Sequence, residues 1–339
     1  MRVLVSGATS GLGRNAAEWL LLEGGHQVRA TGRDELAGEA LRQLGAEFYS
    51  LDLAQATPQQ CRELVTDCEW VWHCAAKSSP WGSKAEFHRI NAAATDKLAE
   101  AAGRCGVRRF VHISTPAIYF DFQPHYDLDE GYRARRFANH YAASKHAAEQ
   151  RLLAQAKIYP QTTYIILRPR GLFGPHDRVI VPRLLQQLER DRGVLRLPGG
   201  GQALLDLTFA PNVVHAMELA SRQRGLPSGA VYNITNHQPQ RLAEMLDALL
   251  RQELGLRYRL QAVPYPLLQA LAGGMELWAS LSGKEPLLTR YSVAAVHFDM
   301  TLSQTRAIEE LGYRPRYSME EGIRLTGEWL RQQGGIQHG

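Results

Sequence analysis

The sequence predicts an α/β protein built on a doubly wound parallel sheet, with a smaller, interleaved C-terminal domain. Three observations lead there. Short apolar runs alternate with helical patterns through residues 1–167. A glycine turn, Gly7-Ala-Thr-Ser-Gly11-Leu-Gly13, separates the first run from the first helix. Beyond residue 167 the alternation loosens into loops rich in proline and glycine.

Each element has its reason. Residues 2–6 form an apolar run suited to a buried parallel strand. After the glycine turn a helical pattern runs from Arg14 to Glu23. Strand, glycine turn and helix together are the setting in which a dinucleotide is held. Glycines let backbone amides of Thr9, Ser10, Gly11, Leu12 and Gly13 approach a pyrophosphate, and the helix N-terminus adds partial positive charge. His26 to Thr31 is a second strand ending in Gly32-Arg33-Asp34. An acid at the end of this strand would bond the ribose of NAD, whereas an arginine accommodates the 2′-phosphate of NADP. The acid position falls on Gly32 with Arg33 behind it, which favours NADP; Asp34 keeps NAD open.

Ala46 to Leu51 is a third strand leading to Asp52-Leu53, where Asp52 could reach an adenine amino group or cap the helix that begins near Thr57-Pro58. Trp70 to Cys74 is the fourth strand, followed by Ala75-Ala76-Lys77, small enough at first to pass close to a cofactor. A long helix over 85–104 contains Asn91, and Arg109 to Ser114 is the fifth strand. Ser114 and Thr115 stand at its carboxyl end, the side of an open parallel sheet on which ligands bind. A helix over 138–156 and a sixth strand over 162–167 complete a Rossmann domain, 1–167. Residues 168–339 are expected to form mainly the substrate-binding domain, with a short strand at 231–234 and helical periodicity from Thr301 to Gln333.

The helix over 138–156 carries Tyr141-Ala-Ala-Ser-Lys145, in which a tyrosine and a lysine four residues apart share one face. An ammonium beside a phenol draws its pKa down from about 10, and a phenol so tuned can exchange a proton with an alcohol or carbonyl oxygen.

The bulk composition narrows the classes. Hydrophobic residues make up 45% and charged residues 22%, as in ordinary globular chains. The net charge of +5 is carried mostly by arginines scattered along the chain, so no nucleic-acid footprint is expected. The cysteines, Cys61, Cys68, Cys74 and Cys105, form no Cys-x-x-Cys pair, so no metal site is expected. The N-terminus lacks the pattern of a signal peptide, no transmembrane span is predicted, and a cytoplasmic setting is expected. The stretch 264–282 holds one charge and has three readings: a core helix, a lid over an apolar substrate, or a weak membrane-surface contact.

Taken together, these residues resemble the extended branch of the short-chain dehydrogenase/reductase superfamily. The resemblance rests on Gly7, Gly11 and Gly13, Asp52-Leu53, His73-x-Ala75-Ala76, Asn91, Ser114-Thr115, Tyr141/Lys145 and Arg168-Pro169-x-Gly171-x-x-Gly174-Pro175. Asp206-Leu-Thr-Phe-x-x-Asn212-Val-Val-His215 and Leu288-Thr-Arg290-Tyr291 look most like 3-beta-hydroxysteroid and sterol dehydrogenases and 2-alkyl-3-oxoalkanoate reductases. The resemblance implies Tyr141 as general acid/base, Lys145 as its partner on the nicotinamide ribose, and Thr115 as the hydroxyl beside it, with Ser114 as the fallback. Asn91, Pro169 and Gly171 would line the cofactor, and a homodimer would form through the helices holding Asn91 and Tyr141. Two departures stand out. The glycine spacing is that of the shorter, single-domain branch. Pro116-Ala117 follow Thr115 where dehydratases place an acidic pair, which argues against dehydration.

Three functions therefore compete. The first is an NADP-dependent oxidoreductase, with NAD possible, acting on a ketone or secondary alcohol of a sterol-like or long-chain 3-oxoacyl substrate. The second is a nucleotide-sugar epimerase, with Arg183, Arg290 and Arg316 available for a diphosphate. The third is a non-catalytic dinucleotide sensor. Arg133-Ala-Arg135-Arg136, before Tyr141, could steer a carboxylate substrate or simply be a solvated loop.

Overall fold

A computed structural model describes residues 1–178 and 180–333. Seven strands form the central sheet: β1 (Arg2–Ser6), β2 (Gln27–Gly32), β3 (Glu47–Ser50), β4 (Trp70–His73), β5 (Arg109–Ile113), β6 (Thr163–Pro169) and β7 (Ala230–Ile234). Their order is β7-β6-β5-β4-β1-β2-β3 and every pairing is parallel. The strand order reverses between β1 and β4, which opens a crevice at the carboxyl ends of these strands.

Both faces of the sheet are covered, so its strands are apolar on both sides. On one face Val3, Val5 and Trp72 pack with Leu12, Ala16 and Leu20 of the helix Gly11–Leu22 and with Val213 and Met217 of the helix Ala210–Arg222. On the other, Leu4, Val71 and Phe110 meet Leu64 of Pro58–Val65 and Leu98 of Ala94–Arg104. The helix predicted over 85–104 is observed in three pieces. A π-helical turn, His88–Ala93, holds Asn91 between Lys84–Phe87 and Ala94–Arg104.

The two halves of the chain interleave. The strand foreseen at 231–234 is β7, and it lies beside β6 with Ala230 opposite Ile165. In return, His125–Leu128 leaves the first half to pair with Met300–Leu302 in a four-stranded sheet of the second. A separate core of Leu195, Leu205, Phe209, Leu246 and Leu250 supports the C-terminal half.

Residues 264–282 do not form a core helix. The helix Tyr265–Ser282 buries only Leu268, Ala272 and Ala279. Leu267, Leu271, Leu277, Trp278 and Leu281 stand in solvent, Leu281 at 78%. Apolar composition announces a buried helix only when a second layer covers it, and here the covering layer, the short helix Arg290–Ala295, meets one side alone. The tail reading holds in Thr305–Leu311 and Met319–Gln332, and its last residues, 334–339, lie outside the described residues.

Candidate active site

The glycine turn packs too tightly for side chains. Gly7 adopts φ +69°, and a Cβ there would strike the backbone of Ala75. One on Gly13 would overlap the Gly7 carbonyl, and one on Gly32 would strike the Thr9 side chain. The turn, the start of its helix, the end of β2 and the segment after β4 thus close around one cradle. Ser10, the N-cap, makes no side-chain cap bond to the helix, and Leu12 is buried beneath it. This cradle fits a pyrophosphate laid on backbone amides. Ser6 ties it together: its hydroxyl accepts from Ala75 N–H at 3.3 Å and donates to His73 Nδ1 at 2.6 Å, and His73 Nε2–H donates to Thr95 at 2.8 Å.

At the adenosine end Arg33 is exposed, while Asp34 is already engaged. Its carboxylate accepts from Ala37 N–H at 3.1 Å, capping the helix Glu35–Gln43, and meets Arg178 at 3.3 Å. That amide and Arg178 hold the Asp34 carboxyl below its usual range. Arg178 also donates to the Thr9 carbonyl at 3.3 Å. It belongs to a strap from the C-terminal half, in which the His176 carbonyl accepts from Gly11 N–H at 3.0 Å and the Pro175 carbonyl from Asn15 at 2.8 Å. Sequence reading missed Arg178, His176 and Asn15; the breaker-rich run after Arg168 was the available signal.

Asp52 is half-buried and accepts from Ala54 N–H at 3.0 Å and from the Gln55 amide at 3.3 Å, whereas the Leu53 side chain is buried in the core. Asn91 is fully buried and pins the segment after β4 from both sides. It accepts from Lys77 N–H at 2.7 Å, donates to Lys77 C=O at 3.0 Å and donates to Ser144 at 2.9 Å. The Lys77 ammonium itself turns to Glu86 at 2.7 Å. Ala76 lies between these anchors. Pro169 pairs with Ile234 at the end of β6, and Gly171 takes φ +54° just beyond.

At the carboxyl end of β5 the two hydroxyls part. Ser114 donates to Glu149 at 2.5 Å, and the same carboxylate receives Arg168 through two bonds at 2.6 and 2.8 Å, all of it buried. Thr115 instead caps the turn after β5, accepting from Ala117 N–H at 3.1 Å, and its hydroxyl lies close enough to the Tyr141 phenol to favour the phenolate. Tyr141 sits one residue inside the helix His140–Ile158, which Asn139 caps through Ala142 N–H at 2.8 Å. The structure therefore brings Thr115, Tyr141 and Lys145 to one end of the sheet and gives Ser114 to the interior.

The relation between Tyr141 and Lys145 differs from the sequence expectation. Lys145 is 2% exposed, donates to the Ile113 carbonyl, and lies 3.3 Å from His112 Nε2. Burial draws its ammonium down to about 8. Burial also pushes the Tyr141 phenol up, with Thr115 pulling the other way. A shared helix face brings the two residues together, but a four-carbon stem still chooses its own acceptors. Tyr141 is thereby kept protonated at neutral pH, the state from which it can give a proton. Among the described residues no group of three or more His, Cys, Asp or Glu side chains could hold a metal, and no helix is long and apolar enough to cross a membrane.

With this geometry in hand, comparison with known proteins is direct. Residues 3–235 match the NAD dependent epimerase/dehydratase family, and the chain belongs to it. It is similar to the uncharacterized protein YbjS of Escherichia coli (strain K12), 47% identical over 336 residues, 98% of this chain and 99% of that one. It is also similar to a 4-hydroxy-2-methyl-3-oxo-4-farnesyl-3,4-dihydroquinoline-1-oxide ketoreductase of Stigmatella aurantiaca, 33% identical over 339 residues, 98% of this chain and 97% of that one. Among solved structures, a UDP-glucose 4-epimerase with UDP-glucose from Thermotoga maritima shares the fold, with a TM-score of 0.76, 22% identity and coverage of 98% and 99%. Within the family the chain falls on the extended short-chain dehydrogenase/reductase branch that includes 2-alkyl-3-oxoalkanoate reductases and sterol dehydrogenases. It is an NAD(P)-dependent oxidoreductase of CH–OH groups.

Proposed function

We propose that the protein is an NADP-dependent ketone reductase, or the reverse dehydrogenase, acting on an apolar sterol-like or long-chain 3-oxoacyl substrate. The observation that carries this is the meeting of Thr115 and a protonated Tyr141 at the crevice, with Lys145 one helical turn away. A bound dinucleotide would supply hydride chemistry at its nicotinamide. Thr9, Ser10, Leu12 and Gly13 would hold the pyrophosphate on their amides, Gly7 and Gly11 would shape the turn, the Gly11 N–H being given to the His176 carbonyl, Asp52 and Leu53 would hold the adenine side, and Ala75, Ala76, Lys77, Asn91, Pro169 and Gly171 the nicotinamide side. In reduction Tyr141 gives its proton to the substrate oxygen, Thr115 orients that oxygen and the phenol, and Lys145 carries the ribose side of the proton path.

NADP is favoured at the adenosine end. Gly32 leaves no acid where the ribose diol of NAD would bond, Asp34 is spent on a helix cap, and the exposed Arg33 together with Arg178, 3.3 Å from Asp34, would meet a 2′-phosphate. Residues 1–167 then hold the cofactor, and residues 168–339 mainly shape the substrate cleft while lending β7 and the strap. The names of relatives on this branch, reductases and dehydrogenases of lipophilic ketones and alcohols, support the same reading. A homodimer through the helices of Asn91 and Tyr141 belongs to this reading and is open to sedimentation.

The epimerase alternative needs arginines free for a diphosphate. Arg183, Arg290 and Arg316 are paired with Glu285 at 3.6 Å, Glu276 at 2.7 Å and Glu218 at 3.2 Å. Paired titration of NADPH and NADH, with turnover of aliphatic ketones by wild type and Tyr141→Phe, tests the proposal. Tighter NADPH binding and loss of turnover in the variant are expected. Full turnover by Tyr141→Phe would overturn the assignment.

A further inference from the structure

We infer that His112 is a positioning residue of the active site: its neutral imidazole holds the Lys145 ammonium from beneath and leaves one ammonium N–H for the side of Tyr141. The inference rests on the reductase reading and deepens it by adding a residue that acts through Lys145.

The placement follows from the strand. His112 lies in β5, opposite His73 of β4 and Ile166 of β6. Side chains alternate along a strand, so His112 and Ser114 share a face. Both reach the helix His140–Ile158. Ser114 meets Glu149 at 2.5 Å, and His112 Nε2 stands 3.3 Å from Lys145 Nζ. The Ile113 carbonyl is the other acceptor of Lys145. Neighbouring residues of one strand thus take two of the three ammonium hydrogens. The third is left for the side of Tyr141, one helical turn earlier on the same face.

The imidazole is arranged for this contact. His112 is 0% exposed. An ammonium can only donate, so Nε2 accepts and the ring proton belongs on Nδ1. Nδ1 is buried and has no hydrogen-bond partner among the described residues. A buried polar atom left unmatched costs stability, and an apolar side chain here would avoid that cost. What the ring gains in exchange is its bond to Lys145. His73 is the opposite case. It stacks on His112 with ring centroids 5.3 Å apart, yet both its nitrogens are matched, by Ser6 at 2.6 Å and Thr95 at 2.8 Å.

Lys145 in turn needs such an acceptor. It is 2% exposed and, among the described residues, has no carboxylate within ion-pair distance. Glu149, one turn farther along the helix, is taken by Ser114 and Arg168. Asn91 bonds Lys77 and Ser144 instead. Burial holds the His112 imidazole far below its ordinary pKa, with Lys145 and His73 acting in the same direction, so it stays neutral and able to accept. The other titratable groups around the pair are Tyr141 and Glu149 on the helix and His73 and Cys74 on β4. Burial pushes Tyr141 up, Cys74 up to about 12 and His73 down to about 3, and Glu149 is held against Arg168. Lys145 is therefore the member of this group that changes charge as pH rises through about 8.

The test follows NADPH affinity against pH by fluorescence titration, without turnover, in wild type, His112→Leu, His112→Gln and Lys145→Met. Wild-type affinity should fall as pH rises through about 8, and Lys145→Met should bind more weakly and lack that fall. His112→Leu removes the acceptor, so the fall should come about one pH unit earlier, the size of a lost hydrogen bond to a charged donor. His112→Gln, whose amide oxygen can accept in place of Nε2, should return it toward wild type. Thermal melting verifies that each variant is folded. A merely structural role would weaken binding equally at every pH and leave the midpoint in place. A flat wild-type profile, an unmoved midpoint in folded His112→Leu, or the same shift in His112→Gln would overturn the inference. Nitrogen NMR of cofactor-free, histidine-labelled protein reads the pair by itself. The His112 signals, identified by their loss in His112→Leu, should show Nδ1 protonated and an accepting Nε2 that moves in Lys145→Met. A protonated Nε2 would also overturn the inference. Absence of NADPH binding with that nitrogen pattern intact would sink the reductase reading and leave the pair standing.

Discussion

Arg168→Met removes the guanidinium that stands 2.6 and 2.8 Å from the two oxygens of Glu149 and 2.7 Å from the Tyr119 hydroxyl. The Arg168 and Glu149 side chains are 7% and 3% exposed, so water cannot replace the lost bonds. Glu149 would keep only the Ser114 hydroxyl, at 2.5 Å. Breaking a buried ion pair from one side costs about 3–5 kcal/mol, because the remaining charge is uncompensated. Unfolding entropy near 2.1 cal/mol/K per residue gives ~0.7 kcal/mol/K for a chain of 339 residues. The expected fall in Tm is therefore about 4–7 °C, measured by circular dichroism at one scan rate. Glu149→Leu combined with Arg168→Met removes both charges, and the pair should cost less than either change alone. A Tm within about 1 °C of wild type for Arg168→Met, or a double variant that costs the sum of the singles, would refute the reasoning.

Three further outcomes follow from the site. Gly13→Ala places a methyl group against the Gly7 carbonyl oxygen, and such overpacking costs about 1–3 kcal/mol. Fluorescence titration should show NADPH affinity reduced by about 5- to 140-fold with the fold retained, since 1.4 kcal/mol is a factor of ten. Thr115→Ala should lower kcat by about 10² or more with little change in Tm, and Ser114→Ala should do the reverse, because Thr115 meets Tyr141 and Ser114 meets Glu149. The pH profile follows from Lys145, whose pKa is drawn by burial from 10.5 to about 8. As pH rises through about 8 the free enzyme loses the ammonium, so kcat/KM for reduction should fall there, and Lys145→Met should abolish that limb. The stability sign is opposite. Between about 8 and 10.5 the unfolded chain binds the additional proton, so this lysine contributes stability as pH rises through that window, visible as a rising Tm that Lys145→Met removes.

The elements that the sequence displayed best are those whose cause is local. β1, the glycine turn and its helix follow from residues adjacent in the chain, and so do the hydroxyls at the end of β5. What could not be read depends on pairs far apart. Arg178 reaches Thr9 across 169 positions, and no periodicity announces such a contact. Lys145 shares a helix face with Tyr141, yet its ammonium settles on His112 and Ile113 of a neighbouring strand. His112 then holds its own proton on Nδ1, which has no partner among the described residues. The apolar stretch 264–282 left a core helix, a lid and a membrane-surface contact open in the sequence, because composition does not say which second layer will arrive, and the structure removes the first of them. Arg168 and Arg170 look alike in the sequence, and only the position of Glu149 in the fold shows that Arg168 is the buried, paired one.

The central claim is that this chain moves a hydride between a nicotinamide and a carbonyl carbon, with Tyr141 supplying the proton. Isotope transfer tests it most directly. NADPH deuterated at C4, prepared separately on each face, is incubated with the enzyme and 2-decanone, and the product is examined by mass spectrometry. The account predicts that one of the two preparations delivers its deuterium to the carbinol carbon, and that Tyr141→Phe suppresses formation of that product. Alcohol formed without label from either preparation, or no nicotinamide oxidation with any ketone or 3-oxo ester, would contradict it.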